Sequence, residues 1–353
     1  MDITTLIIVL LKIIVVFIAM LLGVAYTTWL ERKVLGHMQI RYGPMRTGWH
    51  GLLQPIADGI KLVFKEDIVI DNANKFIYIL SPFIVAVCAF ASFAVVPFGY
   101  ELTLFGQNVP LRIADVNIGI LYIFALSSLS VYGVTLAGWS SNNKYALMGG
   151  LRGSAQMVSY ELSAGLSIIG VLMLTGSLSM VEIVNAQSDV WFIIKQPLGF
   201  ILFLICGIAE CNRTPFDLPE AESELVAGFH VEYSSMKFAL FFLAEYAHMI
   251  VMGGLITTLF LGGWQIPFVD LSSFHPAGLL GQLVLALLPI GVFVFKVFCC
   301  LFFFVWLRAT YPRLRYDQLM TFGWKVLFPL ALLNILLTAV LLIFNVLEAK
   351  GRA

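Results

Sequence analysis

The sequence predicts an all-α integral membrane protein with eight transmembrane helices and an amphipathic interfacial helix in the first cytoplasmic loop. Of its 353 residues, 60% are hydrophobic and only 12% are charged, and long stretches carry no charge. A soluble globular chain is about 45–50% apolar and about a quarter charged. Lysine plus arginine and aspartate plus glutamate both total 21, so the net charge indicates neither a nucleic acid nor an acidic substrate.

Eight stretches approach or exceed the roughly 20 apolar residues that a helix needs to cross a bilayer. They lie near residues 6–30, 76–97, 114–139, 160–177, 190–209, 238–262, 279–306 and 324–347. The first stretch lacks the basic start of a signal peptide and is interrupted only by Lys12, which favours a spanning helix. No repeat or linker divides the chain, so we expect a single polytopic membrane domain over residues 1–353.

The distribution of lysine and arginine predicts the orientation of these helices. The odd-numbered loops and their edges contain fifteen such residues, whereas the even-numbered loops and the C-terminal tail contain four. Positively charged loops tend to stay in the cytoplasm. The odd loops are therefore predicted to be cytoplasmic, with both termini on the opposite side of the membrane.

The first cytoplasmic loop, residues 31–75, contains the candidate amphipathic helix. Over residues 49–64, apolar side chains recur at roughly helical spacing, with Asp58 and Lys61 between them. This pattern is typical of a helix that lies along the membrane interface. Contact with anionic lipid would explain Lys61, but an aspartate gains nothing from such contact, so Asp58 requires another explanation.

The stretch RTPFDLPEAESELV, residues 213–226, concentrates acids in a chain that is otherwise poor in charge. Asp217 and Glu220 fit a helix start with a capping box, and a solvated acidic helix would explain both residues structurally. Glu220 and Glu224 would then share a helix face, where like charges mildly destabilise an isolated helix. This arrangement favours partners outside the segment, or protons shared among the acids.

Three further acids lie inside or at the edge of predicted spans: Glu161 begins the fourth, Glu210 ends the fifth, and Glu245 lies about two turns into the sixth. An ionised carboxylate at bilayer depth costs at least about 2.5–3.5 kcal/mol. Burial and like-charge neighbours raise carboxylate pKa values toward neutrality, where they exchange protons. Together with the loop acids, the three predict a hydrophilic file, for which Lys296 in the seventh span is a candidate counter-charge.

The last cytoplasmic connection places Arg308, Arg313 and Arg315 close in sequence. These arginines could bind lipid headgroups, pair with the acidic loop or contact another subunit. The sequence has no GxGxxG or Walker motif and no CxxC or Cys/His ligand spacing, which argues against nucleotide, iron–sulfur and zinc sites. Only His248 lies inside a predicted span, whereas membrane haem usually needs paired axial ligands.

The loop motifs point to one family. They are ERK at 31–33, RYGPMRTG at 41–48, QPIADGIKLVFKED at 54–67, GWSSNNKYALMGGLRGSAQMVSYE at 138–161, the acidic stretch within 209–246, and LRATYPRLRYDQLM at 307–320. With these motifs the chain resembles the H-subunit family of proton-pumping NADH:quinone oxidoreductase, respiratory complex I, whose mitochondrial counterpart is its first membrane subunit. The resemblance covers every predicted cytoplasmic loop.

This resemblance implies that the loops form the membrane side of a quinone chamber, with quinone bound as substrate. Arg41 and Asp58 would line the quinone passage, surrounded by the first and sixth helices and the amphipathic helix. Glu161, Glu210 and Glu245 would begin an acidic pathway, and the loop acids would link it to the chamber. Those loop acids are Glu220, Glu222 and Glu224.

The resemblance also implies partners and a location. We expect contacts with membrane lipid, with the peripheral subunits of the quinone site and terminal cluster, and with small membrane subunits that lead to antiporter-like subunits. Metals, haem, FMN, iron–sulfur clusters and NAD are not expected in this chain, which would be a non-redox subunit and not catalytic alone. The expected location is a bacterial inner membrane, or the organelle inner membrane if the chain is mitochondrially encoded.

Two other functions fit the composition. The chain could be the homologous anchor of a membrane-bound hydrogenase or formate-linked complex, which need not bind quinone. It could also be a stand-alone ion or solute carrier, although the long cytoplasmic loops and the missing internal repeat disfavour that function.

Overall fold

The computed structural model describes residues 3–99, 101–104, 107–220, 222–266 and 279–344. Helices dominate them, because a backbone in a bilayer must satisfy its own N–H and C=O groups, and a helix does so within one segment. The α-helices are α1 (Ile3–Met38), α2 (Gln54–Phe64), α3 (Lys75–Ser92), α4 (Gly119–Ser140), α5 (Lys144–Thr175), α6 (Met180–Asn185), α7 (Phe192–Lys195), α8 (Pro197–Glu210), α9 (Glu222–Leu225), α10 (Ser235–Phe260), α11 (Leu279–Thr310), α12 (Tyr316–Phe322) and α13 (Phe328–Ile343).

Seven helices among the described residues are long and apolar enough to cross a membrane. The prediction of an all-α, multi-pass membrane protein is therefore confirmed. The fifth predicted stretch, residues 190–209, differs: the chain divides into α7 and α8 at Gln196, since Pro197 cannot donate to a continuing helix. The count of eight crossings is not confirmed, because the 14 residues of α8 are fewer than the about 20 that a crossing needs.

Helix α5 begins at Lys144 rather than near residue 160. Glycines and serines between these positions suggest a loop, but the glycines allow close packing of a helix. A Cβ atom on Gly149 would lie 2.7 Å from the backbone nitrogen of Phe229. The expectation that Glu161 begins the fourth span is wrong: Glu161 lies in the middle of α5, on the same helix as Arg152.

Two further features were not predicted. Strand β1 (Glu101–Leu104) pairs antiparallel with β2 (Gln107–Pro110) in the second loop. At the C-terminal end, α12 continues through a π-helical turn, Gly323–Leu327, into α13. The last long helix therefore begins at Tyr316 rather than near residue 324. The connection from α11 is correspondingly short and contains Arg313 and Arg315.

Helix α10 is the most buried of the seven long apolar helices and contacts α1, α3, α8 and α11. Its central position explains why the sequence can place ionisable side chains on it: neighbouring helices surround the helix and shield it from lipid. Helix α2 packs across α1 and α10, and the hydroxyl of Ser235 donates to the carbonyl of Leu62 at 3.0 Å.

Candidate functional site

Four charged side chains form a cluster where α1, α10 and α11 meet, in which Arg213 and Glu31 are buried and Arg308 is partly exposed. Arg308 and Arg213 both donate to Oε1 of Glu31, the latter at 3.3 Å, and Nε of Arg213 lies 3.0 Å from Oε1 of Glu245. The hydroxyl of Tyr246 donates to Oε2 of Glu31 at 2.7 Å. With two positive and two negative groups the cluster is neutral, which is the condition under which buried charges are tolerated.

Arg213 reaches this cluster from the acidic loop. Its guanidinium lies 4.4 Å from the ring centroid of Tyr246, a cation–π contact. Burial lowers the pKa of Arg213, but the carboxylates of Glu245 and Glu31 outweigh burial and raise the pKa well above its ordinary value. The guanidinium therefore stays charged, and the acidic loop is fixed to α1 and α10 through it.

A second set of carboxylates lies on α8 and α5. The hydroxyl of Ser127 on α4 donates to Oε1 of Glu210, and Nε2 of His248 lies 3.5 Å from the same oxygen. The next residue, Ser128, donates to Oε1 of Glu161 at 2.5 Å. Glu210 and Glu161 are therefore held from two consecutive positions of one helix.

Asp217 does not cap a helix. The helix that follows it, α9, begins only at Glu222, so the capping-box interpretation is wrong, and Asp217 instead accepts from Arg313 at 2.7 Å. Burial and the nearby charge of Glu220 raise the pKa of Asp217 to about 6, although Arg313 opposes them. Asp217 therefore titrates close to neutral pH.

The other loop acids have separate partners. Oε1 of Glu220 lies 3.4 Å from Nε2 of His230; burial alone raises the pKa of Glu220, but His230 and the nearby arginines lower it below its ordinary value. Glu224 pairs with Arg152 at 2.6 Å. The side chain of Glu222 lies outside the described residues, and only its backbone position at the start of α9 is given.

A cavity of about 50 Å³ joins these groups. Five ionisable side chains line it among aromatic ones, namely those of Glu210, Glu220, Glu245, His230 and His248. A water molecule needs at least about 10–15 Å³ of such volume and two to four polar partners, so the cavity can contain water. Residues of the acidic loop and of the membrane helices thus line one shared cavity.

The first loop has a different character. Asp58 on α2 pairs with Arg32 at 2.5 Å and accepts from Gln54 at 3.0 Å, whereas Arg41 is exposed and donates to Gln39 at 2.7 Å. Arg41 and Asp58 therefore do not contact each other. The loop exposes large apolar side chains, namely Ile40, Tyr42, Trp49 and Phe64, a feature that marks interaction surfaces.

The candidate counter-charges behave differently from one another. Arg308 and Arg313 do pair with buried acids, while Arg315 is exposed and lies 3.6 Å from Asp317. Lys296 is not a counter-charge to any carboxylate whose side chain the structure describes. Its ammonium donates to the carbonyls of Leu261, Gly263 and Gln265 at 2.7–2.9 Å and lies over the ring of Trp191.

Several site residues were not predicted as such: Glu31, Arg213, Ser127, Ser128 and His248. A signal existed for Glu31, which directly follows a long apolar run, and for Arg213, the single cation of the acidic loop. The serines carry no such signal, because serine is common in membrane helices. Among the residues that the structure describes, no three histidine, cysteine, aspartate or glutamate side chains are grouped as metal ligands.

Comparisons with known proteins agree with this arrangement. The family model described as NADH dehydrogenase matches residues 11–339. A protein of Geobacter metallireducens, named as the second H subunit of NADH-quinone oxidoreductase, is 56% identical over 343 residues, 94% of each chain. The first H subunit of Geobacter sulfurreducens is 56% identical over 93% of each chain, and the H subunit of Syntrophotalea carbinolica is 52% identical over 97% of this chain and 98% of its own. Since the family model and these relatives extend over nearly the whole chain, the protein belongs to the NADH dehydrogenase family.

Proposed function

We propose that this chain is a non-redox membrane subunit of a proton-translocating NADH:quinone oxidoreductase. In this role it forms part of the quinone chamber and couples quinone reduction to proton movement. The observation that carries the proposal is the cavity that joins Glu220 of the acidic loop to Glu245 and Glu210 in the membrane helices. The names of the relatives support the same function.

The chamber side of the proposal rests on the first loop. Helix α2 has no buried residue and lies across α1 and α10, which suits an interfacial helix with one face toward lipid. Arg41 provides an unburied cation near exposed aromatic residues. A quinone headgroup needs a hydrogen-bond donor beside apolar surface, and this loop offers both to a chamber completed by peripheral subunits.

The proton side rests on charge arrangement. The cluster of two arginines and two glutamates has no net charge. A gain or loss of one proton would leave an unpaired buried charge, which the neighbouring groups must compensate. Glu245 belongs both to this cluster and to the cavity. A change in charge at the loop acids therefore alters the field at Glu245, and the effect passes through the cavity to Glu210 and through the serines of α4 to Glu161.

We further propose eight crossings, with α7 and α8 together providing the fifth. The loops rich in lysine and arginine then face the cytoplasm and both termini face the opposite side. In a bacterial inner membrane this orientation presents the acidic loop, the first loop and Arg308 on one face. Peripheral subunits would cover that face, and membrane subunits leading to antiporter-like subunits would flank Glu161.

The hydrogenase-anchor alternative predicts a first loop without quinone contacts, while a carrier predicts transport by the isolated chain. Neither is favoured by a specific feature of the structure. The relatives cited above are all named as subunits of NADH-quinone oxidoreductase, which supports the first proposal.

The test uses membranes that contain the assembled complex. We expect Glu210→Gln and Glu222→Ala to reduce NADH-driven quinone reduction and proton pumping, while NADH oxidation by an artificial acceptor stays unchanged. Glu182→Gln, an exposed acid of α6 outside the cavity, is the matched control and should behave as the unmodified complex does. Normal pumping in both test variants would overturn the proposal.

A further inference from the structure

His248 is a buried ionisable side chain that the file of carboxylates does not account for. It follows Glu245 by three residues on α10, so the two side chains lie on the same helix face one turn apart. Both line the cavity that also contains Glu210. The imidazole therefore lies in the space between the acid of the charge cluster and the acid at the end of α8.

Hydrogen bonding at this point is incomplete. Nε2 of His248 is 3.5 Å from Oε1 of Glu210, which is too long for a hydrogen bond, and that oxygen already accepts from Ser127. Nε2 of His248 and Oε2 of Glu210 are both buried, with no hydrogen-bond partner among the described residues. Buried polar atoms of this kind are usually satisfied by ordered water, and the adjoining cavity is large enough to contain it.

The groups that face His248 are mostly acidic. From its own helix it meets Glu245, from the end of α8 Glu210 and Cys211, and from the acidic loop Glu220 and His230, all on the cavity wall. Glu161 of α5 lies beyond Glu210, and Ser127 and Ser128 of α4 donate to these two acids. Arg213 adds a positive charge through its ion pair with Glu245. An imidazole among carboxylates can accept a proton at one nitrogen and release a proton from the other.

We propose that His248 is a proton-relay residue between Glu245 and Glu210. A proton first passes from the loop acid Glu220 through cavity water to the Glu245 carboxylate. It then leaves Glu245, which becomes ionised again, and binds the imidazole, while one proton leaves the imidazole through a bridging water to the Glu210 carboxylate. The imidazole ends neutral, and the net result is transfer of one proton across the cavity. This inference rests on the proposed function, and it adds a carrier that is not a carboxylate.

The decisive comparison is His248→Gln with His248→Leu in membranes that contain the assembled complex. Glutamine can keep hydrogen bonds but cannot titrate, whereas leucine can do neither. We expect both variants to lower the rate of NADH-driven proton translocation by about a hundredfold or more, the low end for loss of a positioned proton-transfer group. NADH oxidation by an artificial acceptor reports assembly, and Glu182→Gln, an exposed acid of α6 outside the cavity, is the control.

Two outcomes separate the relay from the function on which it rests. If Glu210→Gln abolishes pumping while His248→Gln retains it, the relay is wrong and the carboxylate file stands. If neither change affects pumping, both the relay and the proposed function are overturned.

A measurement on the unmodified complex covers the case in which the variants fail to assemble. The ratio of coupled to uncoupled quinone reduction is followed over about pH 5 to 8, the range in which imidazole titrates. Because Asp217 has a pKa of about 6, the same measurement is made on Asp217→Asn. An inflection that persists in this variant supports the relay, and a flat ratio overturns it.

Discussion

Ser127 and Ser128 are consecutive residues of α4, yet their hydroxyls donate to carboxylates on two different helices, Glu210 on α8 and Glu161 on α5. Successive side chains on a helix point about 100° apart around its axis, so neighbouring serines on one turn of α4 can donate to acids on two different helices. The pair therefore forms the physical link between the cavity and the acid in the middle of α5.

We predict that Ser127→Ala weakens coupling without preventing assembly. The change leaves Oε1 of Glu210 without its donor, and an unsatisfied buried acceptor costs about 1–3 kcal/mol. Proton translocation per NADH oxidised should fall several-fold, as measured by dye quenching in inverted vesicles. Ser154→Ala is the control, because its hydroxyl bonds only to carbonyls of its own helix. If the two variants pump protons equally well, Ser127 is not part of the site.

The charge cluster predicts a strong effect of Arg213→Met on assembly. Removal of one partner of a buried ion pair costs about 3–5 kcal/mol, and Glu245 would lose its closest cation. The amount of intact complex on native gels should drop sharply. Adding Glu245→Gln should restore part of that loss, since the double variant leaves one fewer unpaired charge. If the double variant is no better than the single one, the two residues are not coupled.

Because its pKa is raised, Asp217 should make the stability of the acidic loop depend on pH. Its pKa in the folded chain, about 6, exceeds the ordinary aspartate value of 3.8, so the folded loop binds the proton more tightly than the unfolded loop does. The stabilisation is fully present below about pH 4 and is lost as the pH rises through about 6. Limited proteolysis of residues 211–234 should accordingly be slower at pH 5 than at pH 7.5.

Asp217→Asn supplies the control for this dependence. Asparagine cannot titrate, so the contribution of this position to the pH dependence should disappear. A wild-type loop that is cleaved faster at pH 5 than at pH 7.5 would contradict the assigned direction of the pKa shift.

We predict that replacing Arg41 weakens the action of inhibitors that bind in the quinone chamber. The side chain is exposed and its described hydrogen bond is to Gln39, so Arg41→Ala should cause little loss of stability. We expect weaker inhibition by chamber-blocking compounds, measured as a shift in the concentration needed for half-inhibition of quinone reduction. Lys144→Ala, an exposed cation at the start of α5, should leave inhibition unchanged, and the same result for Arg41→Ala would exclude Arg41 from the chamber.

The sequence predicted the buried acids of the helices better than their partners. Glu210 and Glu245 stand out because each interrupts an apolar run, and such residues are expensive in a bilayer. Glu31 contacts Arg213 and Arg308, which follow it in the sequence by 182 and 277 positions. No local sequence pattern encodes contacts over such separations. The start of α5 was misplaced for a related reason, since its glycines act through contacts with other segments rather than through local helix preference.

The length of α8 has a geometric consequence for Glu210. A helix of 14 residues rises about 21 Å, and the hydrocarbon layer is about 30 Å thick. Helix α8 alone therefore falls about 9 Å short of crossing that layer, so the proposed fifth crossing needs α7 as well. Inserting one turn into α8 would move the Glu210 carboxylate about 5.4 Å along the helix axis and away from Ser127.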